Sequence, residues 1–115
     1  MAELQLYGLK NCDTCKKALK ALEAAGRDVA FVDIRAETDL AAKVPVWLAA
    51  VGGDALVNKR STTWRSFSDA QRAAAEGDGA AALLIANPTL IKRPVIEAGG
   101  QVYVGWVTDV SEMLA

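Results

Sequence analysis

Residues 11–16 have the sequence Asn-Cys-Asp-Thr-Cys-Lys and follow shortly after residues 3–7, Glu-Leu-Gln-Leu-Tyr. The β-forming residues of the earlier stretch predict a strand over 3–7 that ends at Gly8. After it, apolar residues recur at helical spacing and Gly26 follows the last of them, which predicts a helix. This apolar stripe consists of Cys15, Ala18, Leu19, Leu22 and Ala25. The cysteines therefore lie where a strand leads into a helix.

Cys12 and Cys15 are the only cysteines of the chain, and their placement predicts thiol redox chemistry. A thiolate needs positive potential at neutral pH, and the unpaired N–H groups of a helix N-terminus supply it. Cys15 begins the buried stripe, whereas Cys12 lies one turn earlier at the mouth of the helix. We therefore predict that Cys12 attacks and that Cys15 resolves the product. The alternative, two inert cysteines, agrees less well with the strand–helix–strand context.

Composition limits the kinds of protein to consider. A chain of 115 residues with 52% hydrophobic content fits one domain whose core needs no disulfides. A net charge of −1 gives no bulk attraction to nucleic acid or to an anionic membrane. No apolar run is long enough to span a bilayer, and no secretory signal precedes the first strand. We therefore expect a cytoplasmic protein, in which two close cysteines are catalytic or redox-sensing.

The same composition bears on metals and on assembly. The chain has no histidine, and two thiols alone make a poor zinc site because structural zinc takes four ligands. We therefore expect no metal and no bound cofactor. A monomer is expected as well, because no exposed apolar seam stands out in the sequence.

The remaining predicted strands and helices follow one another in an order that indicates the fold. Residues 29–34 predict a second strand, parallel to the first through a right-handed crossover. Residues 95–107 predict a hairpin that turns at Gly99-Gly100, and residues 108–114 a short helix. The order βαβ, helices, ββα predicts an α/β, thioredoxin-like fold with a mixed four-stranded sheet. The expected organisation is a single domain, residues 1–115, with a helical insertion at about 39–90.

Within the insertion, three helices and one polar loop are predicted. Val44, Trp47, Leu48 and Val51 recur at helical spacing, with Pro45 near the helix start and Gly52-Gly53 after its end. Residues 58–66 predict a polar loop. Residues 68–71, Ser-Asp-Ala-Gln, fit a capping box that opens a helix, and Asp78 can cap another over 79–86.

Two arginines are candidate ligand-binding residues. Arg93 precedes Pro94, and a cis peptide bond there would place its guanidinium near Cys12, where it could stabilise a thiolate or bind an oxyanion. Arg60 lies among three hydroxyl side chains, a combination that suits anion binding. For either arginine, an ordinary solvated loop explains the same residues without a function.

Three segments together resemble the ArsC-like family. They are residues 7–14 (Tyr-Gly-Leu-Lys-Asn-Cys-Asp-Thr), 60–65 (Arg-Ser-Thr-Thr-Trp-Arg) and 91–95 (Ile-Lys-Arg-Pro-Val). That family includes glutaredoxin-dependent arsenate reductases, Spx-type transcription regulators and YffB-type proteins. The resemblance is strongest to the YffB-type branch, covers nearly the whole chain in the same order, and implies a thioredoxin-like fold.

The resemblance also implies roles for single residues. Cys12 matches the cysteine that attacks arsenate, and Arg93 matches the arginine before a cis-proline that contacts the oxyanion. The loop arginine of the reductases matches Asn58, whereas Arg60 lies two residues later, where the Spx and YffB types have theirs. A third arginine of the reductases falls near Gly105 and has no counterpart. The reductases usually lack a thiol at the position of Cys15, whereas the Spx type uses a Cys-x-x-Cys as a redox switch.

These observations predict a thiol–disulfide oxidoreductase with Cys12 as nucleophile, Cys15 as resolving thiol and Arg93 as stabilising cation. The expected substrate is glutathione, a small oxyanion such as arsenate, or another thiol compound, with electrons from glutathione and glutaredoxin or from thioredoxin. The residues expected to bind the substrate are Lys10, Asn11, Arg60 and Pro94. The alternative is a Spx-type redox-switched regulator that binds RNA polymerase without contacting nucleic acid directly.

Overall fold

The computed structural model describes residues 3–75, 77, 79–106, 110, 111 and 114. These residues divide into two compact units. The first unit contains the described residues up to Thr38 and those from Arg93 onward, and the second unit is Asp39–Lys92. The organisation as a single domain with an insertion at about 39–90 stays a prediction.

The first unit is built on a four-stranded sheet in the order β2-β1-β3-β4. Its strands are β1 (Leu4–Gly8), β2 (Val29–Asp33), β3 (Val95–Ala98) and β4 (Gln101–Val104). Strand β1 pairs in parallel with β2 and antiparallel with β3, and β3 pairs antiparallel with β4. This mixed sheet confirms the predicted α/β, thioredoxin-like arrangement of βαβ followed by a hairpin.

Helix α1 (Asp13–Ala24) connects β1 to β2 and covers one face of the sheet. Cys15, Ala18 and Leu22 are its buried residues, and their spacing of three and four places them on one helical stripe. They pack in a core that also includes Leu4, Leu6, Ile96, Val110 and Leu114. Ala25, predicted to belong to the stripe, is exposed and lies one residue beyond the end of the helix at Ala24.

The hairpin between β3 and β4 turns at Gly99-Gly100, as predicted. Their φ angles are +54° and +85°, a combination that suits the twist of two antiparallel strands and that glycine adopts without steric cost. Strand β4 ends at Val104. Val107 and most of the helix predicted over residues 108–114 lie outside the described residues.

The second unit is helical. Its elements are α2 (Leu40–Val51), α3 (Gly53–Leu56), α4 (Thr62–Ser66), α5 (Asp69–Ala75), α6 (Ala80–Ala86) and a 3-10 turn (Pro88–Leu90). Its interior is apolar and includes Leu40, Val44, Trp47, Leu56, Trp64, Leu84, Leu90 and Ile91. None of the helices within the described part of the chain is long and apolar enough to cross a membrane.

Local hydrogen bonds explain where this unit agrees with the predictions and where it differs. Pro45, expected near the start of its helix, is the sixth residue of α2, because the Asp39 side chain caps that helix through the Ala42 N–H (3.3 Å). The predicted polar loop 58–66 ends in helix α4, because the Ser61 hydroxyl accepts a hydrogen bond from the Trp64 N–H (3.1 Å). Gly52 and Gly53 follow the end of α2 at Val51, as expected, and Gly53 also opens the short helix α3.

The predicted capping box at the start of α5 is confirmed. The Ser68 N–H donates to Gln71 Oε1 (2.8 Å), and the Gln71 N–H donates to Ser68 Oγ (3.3 Å). The two side chains thus satisfy backbone N–H groups that a helix start leaves without partners. Helix α6 begins at Ala80, and Asp78, its predicted cap, lies outside the described residues.

Candidate functional site

The two thiols lie at the N-terminus of α1. Cys12 is the N-cap residue, with an extended backbone, and Cys15 lies in the first helical turn. The Cys12 N–H donates to the Leu9 carbonyl (3.1 Å), and the Cys12 carbonyl accepts from the Lys16 N–H (3.0 Å), so backbone bonds fix the turn on both sides. Both cysteines are free thiols; Cys12 is half-buried and Cys15 is fully buried. These are the expected positions, one at the mouth of the helix and one on its inner face.

The surroundings of Cys12 favour its thiolate. Burial opposes ionisation, but the Cys15 amide, the Cys15 thiol and the Arg93 guanidinium together hold the pKa of Cys12 below its ordinary value. Among the groups that favour the thiolate, the Cys15 amide has the largest effect, followed by the Cys15 thiol and Arg93.

The surroundings of Cys15 have the opposite effect. Burial is the main reason that the pKa of Cys15 is raised to about 12; the Leu9 amide opposes the rise, the neighbouring Cys12 sulfur adds to it, and Arg93 opposes it weakly. Cys15 therefore keeps its proton and donates it toward the Cys12 sulfur. The pair consists of one activated thiol and one protonated thiol, and the activated one is Cys12, the less buried of the two.

Gly8 is the last residue of β1 and lies against the Cys15 side chain. A Cβ atom at Gly8 would come within 2.5 Å of Cys15 Sγ and 3.1 Å of Cys15 Cβ. Only a residue without a side chain leaves room for the thiol. The sequence indicates Gly8 as a strand end, and the contact escapes prediction because it depends on how closely the strand approaches the helix.

Arg93 and Pro94 precede β3, and the peptide bond between them is cis, as predicted. Arg93 is half-buried and its guanidinium interacts with the Cys12 sulfur by charge and by hydrogen bonding. Pro94 is fully buried, and its carbonyl accepts a hydrogen bond from the Gly105 N–H (2.8 Å). The structure thus brings Arg93 to Cys12, whereas a substrate contact at Pro94 stays a prediction.

Gly105, the position matched by a third arginine in the reductases, follows strand β4 and is buried. Its φ angle is +81°, in the region that L residues with a side chain rarely adopt. An arginine at this position would therefore strain the backbone that bonds to Pro94. The conformation itself explains a glycine here, apart from any effect on ligand binding.

Lys10 and Asn11, both exposed, line a cleft of about 270 Å³ in the first unit. The other residues that line it are Leu9, Asp33, Arg35 and Ala36. The pKa of Asp33 is lowered, mainly because the amides of Ala36 and Arg35 donate hydrogen bonds to its carboxylate. The charges of Arg35 and Lys10 lower this pKa further. Asp33 and Arg35 are not predicted from the sequence as site residues.

Arg60 belongs to the second unit and is exposed in the turn before α4. The turn is organised by Asn58, whose side chain accepts from the Arg60 N–H (3.1 Å) and whose carbonyl accepts from the Ser61 hydroxyl (2.8 Å). Asn58, the ungapped match to the loop arginine of the reductases, therefore stabilises the turn. A substrate contact at Arg60 stays a prediction.

Across the part of the chain that the structure describes, no group of three or more cysteine or acidic side chains could hold a metal ion.

Comparison with known proteins extends these observations. The model of the ArsC family matches residues 7–113. An uncharacterized protein of Haemophilus influenzae is 39% identical over 115 residues, covering 90% of each chain. The structure of the YFFB (PA3664) protein is 37% identical with a TM-score of 0.83, covering 97% of this chain and 99% of the other. An arsenate reductase (ArsC) related protein of Brucella melitensis is 35% identical with a TM-score of 0.79, covering 98% and 93%.

Proposed function

The chain belongs to the ArsC family, and from that membership we propose that it is a cytoplasmic thiol–disulfide oxidoreductase. The observation that carries the proposal is the pair of thiols at the start of α1, with the pKa of Cys12 lowered and that of Cys15 raised to about 12. A nucleophile and a resolving thiol need these opposite properties. The half-buried Cys12 can meet a substrate, and the buried Cys15 can meet only what is bonded to Cys12.

The reaction begins when the Cys12 thiolate attacks one sulfur of a substrate disulfide. A bond forms between Cys12 and that sulfur, the substrate S–S bond breaks, and the other half leaves as a thiolate that takes up a proton. Cys12 no longer carries a negative charge in this mixed disulfide. Because that charge had helped to raise the pKa of Cys15, its loss makes Cys15 easier to deprotonate.

In the second step the Cys15 sulfur loses its proton and attacks Cys12. The Cys12–Cys15 bond forms, the bond from Cys12 to the substrate breaks, and the second half of the substrate leaves as a thiol. Two electrons have then passed from the protein to the substrate. Glutathione with glutaredoxin, or thioredoxin, is the proposed reductant that returns the pair to two thiols.

Glutathione disulfide and glutathione mixed disulfides are the substrates we favour. Glutathione carries two carboxylates, which suit a site with several cations, and Arg93 already interacts with the reacting sulfur. Arsenate is a weaker candidate because Gly105 removes one charge-assisted contact, worth roughly 1.5–3 kcal/mol. Lys10 is proposed to contribute further positive charge.

The proposal is tested by trapping the intermediate. Purified Cys12→Ser and Cys15→Ser variants are incubated with glutathione disulfide and their intact masses are measured. We expect Cys15→Ser to accumulate a glutathione adduct on Cys12, because the resolving step is blocked, and Cys12→Ser to form no adduct and to lose turnover. Equal loss of turnover in both variants, with no adduct in either, would refute the assigned roles.

A second candidate function is a redox-switched regulator that binds RNA polymerase, and the presence of a second thiol at Cys15 favours it. In this function the Cys12–Cys15 disulfide changes a binding surface and no substrate turns over. Retention of the polymerase α subunit by the oxidised but not the reduced protein would support it. Turnover of glutathione disulfide by the wild type would favour the oxidoreductase.

A further inference from the structure

We infer that the cleft lined by Lys10, Asn11, Asp33 and Arg35 binds a carboxylate of the low-molecular-weight thiol that becomes bonded to Cys12. This inference rests on the proposed function, because it concerns the same substrate. It assigns a binding role to Arg35 and a positioning role to Asp33. The expected ligand class is a small thiol or disulfide that carries a carboxylate, as distinct from a neutral one.

The position of the cleft relative to Cys12 is the first argument. Leu9, Lys10 and Asn11 line the cleft and are the three residues that immediately precede Cys12. Lys10 is two residues from Cys12, so their Cα atoms are at most about 7 Å apart. A compound the size of a tripeptide, bonded through its sulfur to Cys12, can therefore place a carboxylate in the cleft.

The charge of the cleft is the second argument. Its lining includes two cations, Lys10 and Arg35, and one carboxylate, Asp33. Both cations line the same cleft as Asp33 and lie close enough to it to influence its ionisation. The charges of these three side chains sum to one positive charge. This net charge suits a monoanion such as a carboxylate better than a multiply charged oxyanion.

The third argument is that the loop carrying Arg35 is held in place. Asp33 Oδ1 accepts hydrogen bonds from the amides of Arg35 and Ala36, both at 2.8 Å. The Asp33 carbonyl accepts from the Glu37 N–H (3.0 Å) and from the Thr38 hydroxyl (2.9 Å). Because the backbone that carries Arg35 is already fixed, only the side chain has to be ordered when it binds a ligand, which favours affinity. Asp33 therefore acts through Arg35 and is a positioning residue.

The pairing of β1 and β2 is what brings the two loops together. Gly8 and Asp33 are partners in the parallel register, and the Ile34 N–H donates to the Gly8 carbonyl (2.9 Å). The segments that leave these two strands therefore start side by side. Ligand sites at the carboxyl ends of neighbouring parallel strands are a general feature of α/β sheets.

The test uses S-methylglutathione, which has the carboxylates of glutathione but no thiol and so cannot react with Cys12. The ligand is titrated into the ¹⁵N-labelled, reduced wild-type protein, and amide shifts are followed by NMR. We expect the amides of Lys10, Asn11, Arg35 and Ala36 to shift together. Arg35→Gln and Lys10→Gln should each weaken binding by about three- to tenfold, since each removes one charged contact at an exposed site.

Lys20→Gln is the matched control, because it removes the same charge from an exposed residue of α1. Its affinity should equal that of the wild type. Shifts confined to other residues, or an unchanged affinity in Arg35→Gln, would overturn the assignment of the cleft. The variants are folded if their spectra match that of the wild type for residues away from the cleft.

The ligand cannot form a disulfide, so this result is independent of the trapping experiment. If S-methylglutathione does not bind while Cys15→Ser still traps glutathione, the assignment of the cleft is overturned and the proposed oxidoreductase function stands. If binding follows the expected pattern while no adduct is trapped, the assignment of the cleft is supported and the proposed thiol chemistry is refuted. A diester of S-methylglutathione, which lacks the free carboxylates, should bind more weakly than the parent compound; equal affinity would also overturn the inference.

Discussion

Cys12 and Cys15 are three positions apart in the chain but occupy very different surroundings. Cys12 lies half-buried at the end of a helix, beside Arg93, whereas Cys15 lies buried between α1 and β1. Burial is the largest influence on both thiols, and only at Cys12 do a neighbouring cation and two polar groups of Cys15 outweigh it. The difference in pKa between the two thiols, on which their proposed attacking and resolving roles rest, is therefore decided by the partners of each sulfur.

Arg93→Gln is expected to slow the reaction of Cys12 with iodoacetamide at pH 7. In the wild type the rate should rise with pH through the lowered pKa of Cys12 and then level off, because only the thiolate reacts. Without the guanidinium that pKa rises, so the same curve moves to higher pH. The rate at pH 7 should fall by about three- to tenfold, the effect of losing one charge-assisted contact at a partly exposed group.

The alkylation rate is measured from pH 5 to pH 10 by mass spectrometry, with Lys20→Gln as the control. Cys15 does not compete, since its pKa is about 12 and it is buried. A curve for Arg93→Gln that overlays the wild-type curve would show that Arg93 does not stabilise the thiolate.

At the scale of elements, the site depends on how closely β1 passes the first turn of α1. Gly8 makes that approach compatible with a sulfur atom at Cys15, since any Cβ would lie 2.5 Å from Sγ. The strand and the helix are each predictable from their own residues. The contact between them is not, because it arises only when both are packed on the sheet.

Gly8→Ala is expected to lower the free energy of unfolding by about 1–3 kcal/mol, the usual effect of overpacking a core. The measurement is urea denaturation of the reduced protein. In a Cys15→Ala background, which lacks the sulfur, Gly8→Ala should lower the free energy of unfolding by less than it does in the wild-type background. Gly53→Ala is the control, because a Cβ there meets only ordinary contacts, the nearest at 3.6 Å. Additive effects of Gly8→Ala and Cys15→Ala would contradict the contact.

Elements with strong local signals were predictable in place and type. The turn at Gly99-Gly100 and the capping box between Ser68 and Gln71 need only neighbouring residues, and both form as expected. The start of α2 was misplaced because Asp39 caps it five residues before the helix-forming pattern becomes clear. Helix α4 escaped prediction because a single hydroxyl, that of Ser61, decides its start.

For the molecule as a whole, the candidate site is more difficult to predict than the fold. Cys12, Cys15 and Arg93 were identifiable because a motif marks each of them. Asp33 and Arg35 carry no motif and reach the cleft only through the parallel register of β1 and β2. The one available signal is that residues after two neighbouring parallel strands meet at the same edge of a sheet.

The choice of substrate also belongs to this scale, because it depends on the complete set of cations. We expect the wild type to reduce arsenate more slowly than glutathione disulfide, because one charge-assisted contact to the oxyanion, worth about 10- to 100-fold, is missing. Gly105→Arg should not restore arsenate turnover, because a side chain at a φ of +81° strains the backbone. It should lower the free energy of unfolding by about 1–2 kcal/mol.

NADPH oxidation coupled to glutaredoxin and glutathione, and in parallel to thioredoxin, measures both substrates and identifies the donor. Gly105→Ala is the control, since it introduces the same strain without the charge. An increase in arsenate turnover in Gly105→Arg, with stability unchanged, would show that the glycine reflects substrate choice and not backbone conformation.

The unequal protonation of the two thiols has an electrochemical consequence. Between the pKa of Cys12 and that of Cys15, about 12, the reduced pair holds one proton, so closing the disulfide releases two electrons and one proton. The midpoint potential then falls by about 30 mV per pH unit, half the slope of a dithiol that still holds both protons. Below about pH 8.5, where an ordinary thiol also still holds its proton, a more alkaline medium strengthens that thiol as a reductant more than it strengthens this pair. The pair would thus be oxidised less readily, relative to such thiols, as the pH rises toward that value.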